Sequence, residues 1–147
     1  MTATPATLPG WGQDALLSTL ARADAVRLKA FAEPLIADLP GITVSDNRTG
    51  LGMLPMRDIA QSTHIHLGEV LMSEARISAG GQDGYGMRRG RDLEAAMARA
   101  LVHLAVVLGM AQSDCAALLD AEATEQAKAD RDVLCRVEAT RMDMETC

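Results

Sequence analysis

Residues 83–101 read DGYGMRRGRDLEAAMARAL, and this stretch decides the fold. Gly84–Arg88 reads as a short strand, Gly90 interrupts it, and Asp92 stands where a helix N-cap belongs. From Leu93 onward the apolar spacing becomes helical, with Met97, Leu101, Leu104 and Leu108 on a broad stripe. Gly109 is a natural stop for that helix. A strand that passes through glycine directly into a helix mouth exposes backbone N–H groups and the positive end of the helix dipole. Arg88, Arg89 and Arg91 add cationic charge there. They are candidate contacts for a phosphate, or for a carboxylate of a partner. The alternative is that they are solvated, or pair with acidic helices of the same chain. GYGMRRG is neither GxGxxG nor a P-loop, since no GK[ST] follows.

Upstream, the stretch Asp14–Ala23 has helical spacing, and Asp24 can cap a second helix reaching about Ala32, which Pro34 ends or kinks. Leu39-Pro40-Gly41 is a turn, Ile42–Val44 is short and β-branched, and Asn47-Arg48-Thr49-Gly50 carries turn chemistry. Leu51–Met56 and Leu67–Ala79 read as strands, and Ala79–Gly84 as a glycine-rich hairpin loop. In the second strand Leu67, Leu71, Ala75 and Ile77 share one face, interrupted by Glu69 and Ser73. Downstream, Ser113 can cap a helix running to about Ala139, with a break near Ala123. The expectation is an α+β fold: N-terminal helices, a central antiparallel β-sheet, then C-terminal helices and a tail. Residues 1–12 are expected to form a flexible leader, 13–139 a single domain, and 140–147 a C-terminal tail.

Composition narrows the function. The 147 residues suit one domain with a real core, and 48% hydrophobic with 23% charged residues is ordinary for a globular protein. Net charge is −6 and only Trp11, Phe31 and Tyr85 are aromatic, which argues against nucleic acid as a ligand. Residues 110–147 hold nine acids against four bases and so carry −5 of that charge. The arginine cluster sits in the nearly neutral remainder. The N-terminal MTATPATLPG lacks a basic start and an apolar run, and the apolar stretch Leu101–Met110 is interrupted by His103 and too short for a membrane span. Cys115, Cys135 and Cys147 are widely spaced, without CxxC. These features predict a cytoplasmic, reduced protein, with no membrane and no nucleic acid among its partners.

Other candidates for chemistry are weaker. His64 and His66 would share a strand face, but no third ligand has suitable spacing, and no metal site is expected. Glu69 could orient an arginine or act as a base, or be a structural partner of Arg76 or Arg88. No Ser-His-Asp arrangement has supporting context, and catalytic residues remain unassigned. The surplus of apolar residues on striped helices predicts a partner surface.

The order and spacing of several motifs carry a resemblance. TGLGMLPMRD (49–58), HLGEV (66–70), GYGMRRGRD (84–92) before a helix, and a terminal ATRMDMETC (139–147), with Trp11 ahead of LLSTLARA, resemble the G subunit of bacterial carbon–phosphorus lyase, the PhnG family. The likeness runs from about Trp11 to the end. It implies a subunit of a core complex with the H, I and J subunits. With the I, H and L subunits it would support transfer of methylphosphonate to ribose C1′ of ATP, releasing adenine. The complex is then expected to use ATP and to hold an iron–sulfur cluster on the J subunit, with no cofactor on this chain. The chain alone would be inactive or self-associating. Arg141 and Asp143, in the tail, would contact a partner. The chain departs from the family pattern at Leu93, where Lys is common, at Met97, where an acid is common, and at Glu74, where Arg is frequent. The alternative is a stand-alone homo-oligomeric anion-binding or interaction module that has left the complex.

Overall fold

The computed structural model describes residues 6–141. Four helices and three strands follow in the order α1 (Gln13–Arg22), α2 (Ala25–Asp38), β1 (Thr43–Arg57), β2 (His64–Ala79), β3 (Gln82–Arg89), α3 (Leu93–Val107) and α4 (Gln112–Ala139). The strands form one antiparallel sheet in the order β1-β2-β3, flanked in sequence by helix pairs. The fold is α+β.

α3 is the hub. It is apolar almost all round, with Ala95, Ala96, Ala100, Val102 and Leu104 fully buried, as befits a helix covered on several sides. α2 packs on one side of it, β3 and β2 on another. Small residues on both partners permit this approach. A Cβ on Gly84 would lie 2.5 Å from the Ala100 carbonyl oxygen, and one on Gly86 would collide with the Ala96 carbonyl. The strand therefore needs glycine at both places to lie against the helix backbone. On β2, Ser73, Ala75, Ile77 and Ala79 are buried beneath α3 in strict alternation. Ser73 fits that apolar row because its hydroxyl donates to the Gly90 carbonyl at 2.6 Å.

The opposite face of the sheet carries Met72, Glu74, Arg76, Tyr85 and Met87, and no helix covers it among the described residues. Arg48 stands opposite Glu74 in the register and its Nε lies 3.1 Å from the Glu74 carboxylate. That hydrogen bond is the main reason the Glu74 carboxyl is held below its usual range. Arg76 lies over the Tyr85 ring, 5.8 Å from its centre.

Several local expectations are corrected. Asn47–Gly50 forms no turn; it lies inside β1, where Asn47, Arg48, Thr49 and Gly50 face Ala75, Glu74, Ser73 and Met72 of an unbroken partner strand. The ladder of backbone hydrogen bonds outweighs the local turn preference. The reversal comes instead at Asp58–Thr63, where Asp58 N–H donates to the Thr63 carbonyl at 2.9 Å and the Asp58 side chain accepts from Ala60 N–H. α2 passes through Pro34 and ends at Asp38, because Leu28, Ala32 and Leu35 hold one face of it in the core. α4 is continuous through Ala123 and starts from a left-handed Ala111, not from Ser113.

Residues 6–12 are not a free leader. Ala6 N–H donates to the Val107 carbonyl at 2.8 Å, and Leu8 is 3% exposed. At the other end, Thr140 caps α4, and the rest of the expected tail beyond Arg141 lies outside the described residues.

Candidate functional site

The site read from the sequence is the mouth of α3. Asp92 is its N-cap: Oδ1 accepts from Ala95 N–H at 3.0 Å, and Oδ2 lies 2.8 Å from Lys29 Nζ on α2. The Lys29 hydrogen bond, followed by the Ala95 amide, holds the Asp92 carboxyl below the usual carboxylate range. A second carboxylate, Glu94, lies 3.6 Å from the same ammonium.

The three arginines part company. Arg88 shares the helix-facing side of β3 with Gly84 and Gly86, and reaches past α3 to α1. Its Nη1 donates to the Leu20 carbonyl at 3.0 Å and its Nη2 to the Ala23 carbonyl at 2.7 Å. Both carbonyls lie where α1 ends, the Leu20 oxygen also accepting from Ala23 N–H at 3.4 Å, and a cation there opposes the negative end of the helix dipole. The placement removes Arg88 from any shared anion site with Arg89 and Arg91. Partial burial lowers its pKa, but a guanidinium stays charged.

Arg89 and Arg91 are both exposed. Neither forms an ion pair among the described residues. Arg89 faces Met72 across the sheet and stands at one side of a groove of about 410 Å³ walled by Met53, Leu54, Val70, Met72 and Met87. The groove floor is low at Gly52, where the sheet carries no side chain. Arg89 therefore offers an exposed guanidinium beside an apolar groove, and Arg91 is a second exposed one just ahead of α3. Chemically a guanidinium of this kind can hold phosphate or carboxylate oxygens through charge-assisted hydrogen bonds.

The acidic α4 is met by other arginines than those expected. Glu122, only 2% exposed, accepts from Asp24 N–H at 3.2 Å through Oε2, and Arg27 Nε stands 3.2 Å from its Oε1. Farther along, Arg22 makes a two-pronged contact with Asp130 at 2.6 and 3.1 Å. These polar contacts join α4 to α1 and the start of α2, beside the buried apolar anchors Cys115 and Leu119.

Glu69 lies exposed on β2 opposite Met53 and has no ion pair among the described residues. Arg76 and Arg88, its expected partners, are engaged by Tyr85 and by α1. His64 and His66 are exposed, and no group of three metal-ligating side chains occurs among the described residues. His103 accepts from Tyr85 N–H through Nδ1 at 3.1 Å, and burial, then Arg99, lowers its pKa. Its imidazole is therefore neutral and serves the edge of β3. Cys115 is buried, and burial pushes its thiol up to about 11. Arg141 pairs with Glu138 at 3.3 Å, and Asp143 lies outside the described residues. Leu93 and Met97, one turn apart, line a groove of about 420 Å³ between α2 and α3 together with Ile36.

Arg99 was missed by the sequence reading. It is 7% exposed and donates to the carbonyls of Met87 and Leu17, the latter at 2.8 Å. Arg88 and Arg99 together tie β3 and α3 to α1. Gly84, Gly86 and Arg88 share one strand face by simple alternation, and the fold sets that face against α3.

The fold and site define a small α+β chain with a bare sheet face and exposed arginines at a helix mouth. The family model of the phosphonate metabolism protein PhnG matches residues 13–147, nearly the whole chain, and the chain belongs to that family. A comparison with curated proteins finds no match. No helix among the described residues is long and apolar enough to cross a membrane.

Proposed function

We propose that this chain is a subunit of the carbon–phosphorus lyase core complex and supports transfer of methylphosphonate to ribose C1′ of ATP, with release of adenine. Membership of the PhnG family over residues 13–147 carries the reading. The partners are the H, I and J subunits, with the L subunit joining for the transfer. ATP is the complex's substrate, the iron–sulfur cluster belongs to the J subunit, and this chain holds no cofactor of its own. The work is done in the cytoplasm.

Within that assembly the chain acts as a binding and positioning element. Arg89 and Arg91 are the exposed cations at the mouth of α3, and they meet either the triphosphate or an acidic surface of a neighbouring subunit. Arg88 and Asp92 hold the mouth in shape, through α1 and through the first turn of α3.

The test is reconstitution with the H, I, J and L subunits, ATP and methylphosphonate, followed by phosphorus NMR and adenine release. The ribosyl phosphonate triphosphate should form only when this chain is present. Equal turnover without it would refute the reading. Arg89→Ala and Arg91→Ala, tested for assembly and for turnover separately, divide triphosphate contact from subunit docking.

A further inference from the structure

The β1–β2 hairpin runs beyond the sheet that supports it. β3 ends at Arg89 opposite Met72, while β1 and β2 stay paired out to Arg57 and His64. Residues 53–57 and 64–69 are all exposed. A two-stranded ribbon alone is marginal in water, and on this one Arg57 and Glu69 stand among a larger number of apolar residues. Leu51, Met53, Met56, Ile59, Ile65 and Leu67 are each at least 50% exposed, and Ile59 at the tip reaches 97%.

Apolar side chains stand on both faces. Met53 and Leu54 are consecutive strand residues and so point to opposite sides. Leu67 is the extra residue of a bulge, since Leu54 faces Gly68 while Pro55 faces His66. A second copy pairing edge to edge would only widen the sheet and leave both faces bare. Stacking of two ribbons would cover one face of each. Full cover needs a partner that closes over both faces. Charge at the base adds a requirement: Arg89 and Arg91 are free there, in a chain whose acids are concentrated in residues 110–147.

We infer that the distal ribbon, residues 51–57 with 64–70, inserts into an apolar cleft of a different folded protein, with acidic residues on the rim where Arg89 and Arg91 stand. The inference rests on the reading of this chain as a complex subunit, and names the element that docks.

The experiment uses the full chain coexpressed with the H, I and J subunits. Met53→Glu with Leu67→Glu places a charge among the apolar groups of the ribbon at two positions that are more than 60% exposed. Val26→Glu, at a residue 75% exposed on α2, is the control. Wild type and the control should co-purify with the other subunits. The double variant should lose at least tenfold of the recovered complex while melting as wild type does when alone. Assembly of the double variant at the wild-type level overturns the ribbon inference and leaves the subunit reading standing. Failure of wild type to bind any of these subunits overturns both. A wild-type dimer in sedimentation that the double variant reduces to a monomer also overturns the inference, because the occupant is then a second copy. If the double variant does not fold, hydrogen exchange on the wild-type complex decides: slowed exchange across 51–70 supports insertion, and unchanged exchange refutes it.

Discussion

The Arg88 guanidinium donates to the Ala23 carbonyl at 2.7 Å, at the end of a helix 65 residues earlier in the chain. With its second bond to Leu20 it fastens β3 to the C-terminal end of α1. The sequence groups Arg88 with Arg89 and Arg91 as candidate phosphate or partner contacts. Their surroundings now assign them different roles.

Arg88→Ala should destabilise the fold by about 1–3 kcal/mol, because it leaves two carbonyls without their charged donor. Arg89→Ala and Arg91→Ala should each cost less than about 0.5 kcal/mol, the usual scale for exposed sites. Urea unfolding of the isolated chain checks this. Equal effects from all three would show that the Arg88 contacts contribute nothing beyond those of a surface residue.

Gly86→Ala should be among the most damaging single-methyl changes. The added Cβ meets the Ala96 carbonyl and comes within 2.8 Å of Ala100 N, both backbone atoms that cannot swing aside. Overpacking of this kind costs about 1–3 kcal/mol and sometimes more. Gly50→Ala, with open space around it, is the companion variant and should be nearly neutral. Thermal melts that place the two variants together would contradict the close strand–helix contact.

Much of the fold was legible because local chemistry and tertiary context agree there. Asp24 and Asp92 cap their helices through side-chain bonds to Arg27 N–H and Ala95 N–H, an interaction confined to a few residues. The strand–glycine–helix passage at 84–93 was legible for the same reason. What misled was context at a distance. Asn47–Gly50 prefers a turn until β2 supplies a partner for every residue. The surplus apolar surface was expected on helices; much of it lies on the ribbon, where Met53 and Leu67 read as ordinary strand residues until β3 is seen to stop short. Of the site, Asp92 could be placed from sequence. The parting of Arg88 from Arg89 required knowing which face of β3 meets α3.

His103 should make stability fall with acid. Its folded pKa is lowered, first by burial and then by Arg99 one turn earlier on α3. A depressed histidine is neutral in the fold and takes up a proton more readily when unfolded. Its contribution is therefore complete above the unfolded value of about 6.5 and is lost as pH falls toward the folded value. Protonation at Nδ1 would also break the bond from Tyr85 N–H. The melting temperature should drop progressively below about pH 6.5, ahead of the carboxylate region near pH 4. His103→Gln, which keeps an acceptor and cannot titrate, should flatten that part of the curve. An unchanged slope in the variant would assign the acid sensitivity to other groups.

The outer half of α4 should be dispensable for folding. Beyond Asp130 its apolar side chains Val133, Leu134 and Val137 are 51–66% exposed, and every described residue from 128 to 141 is exposed. The Arg22–Asp130 pair that steadies it is itself more than half exposed on both sides, where such pairs are worth about 0–1 kcal/mol. The buried anchors, Cys115, Leu119 and Glu122, all precede it. Truncation after Asp130 should therefore change unfolding free energy by less than about 1 kcal/mol, and amides 131–141 should exchange quickly in the isolated chain. In the reconstituted complex the same truncation should weaken assembly, because the Val133, Leu134 and Val137 stripe has the i, i+4 spacing of a face that packs against another element. A large fall in melting temperature on truncation would place this segment in the core of the fold instead.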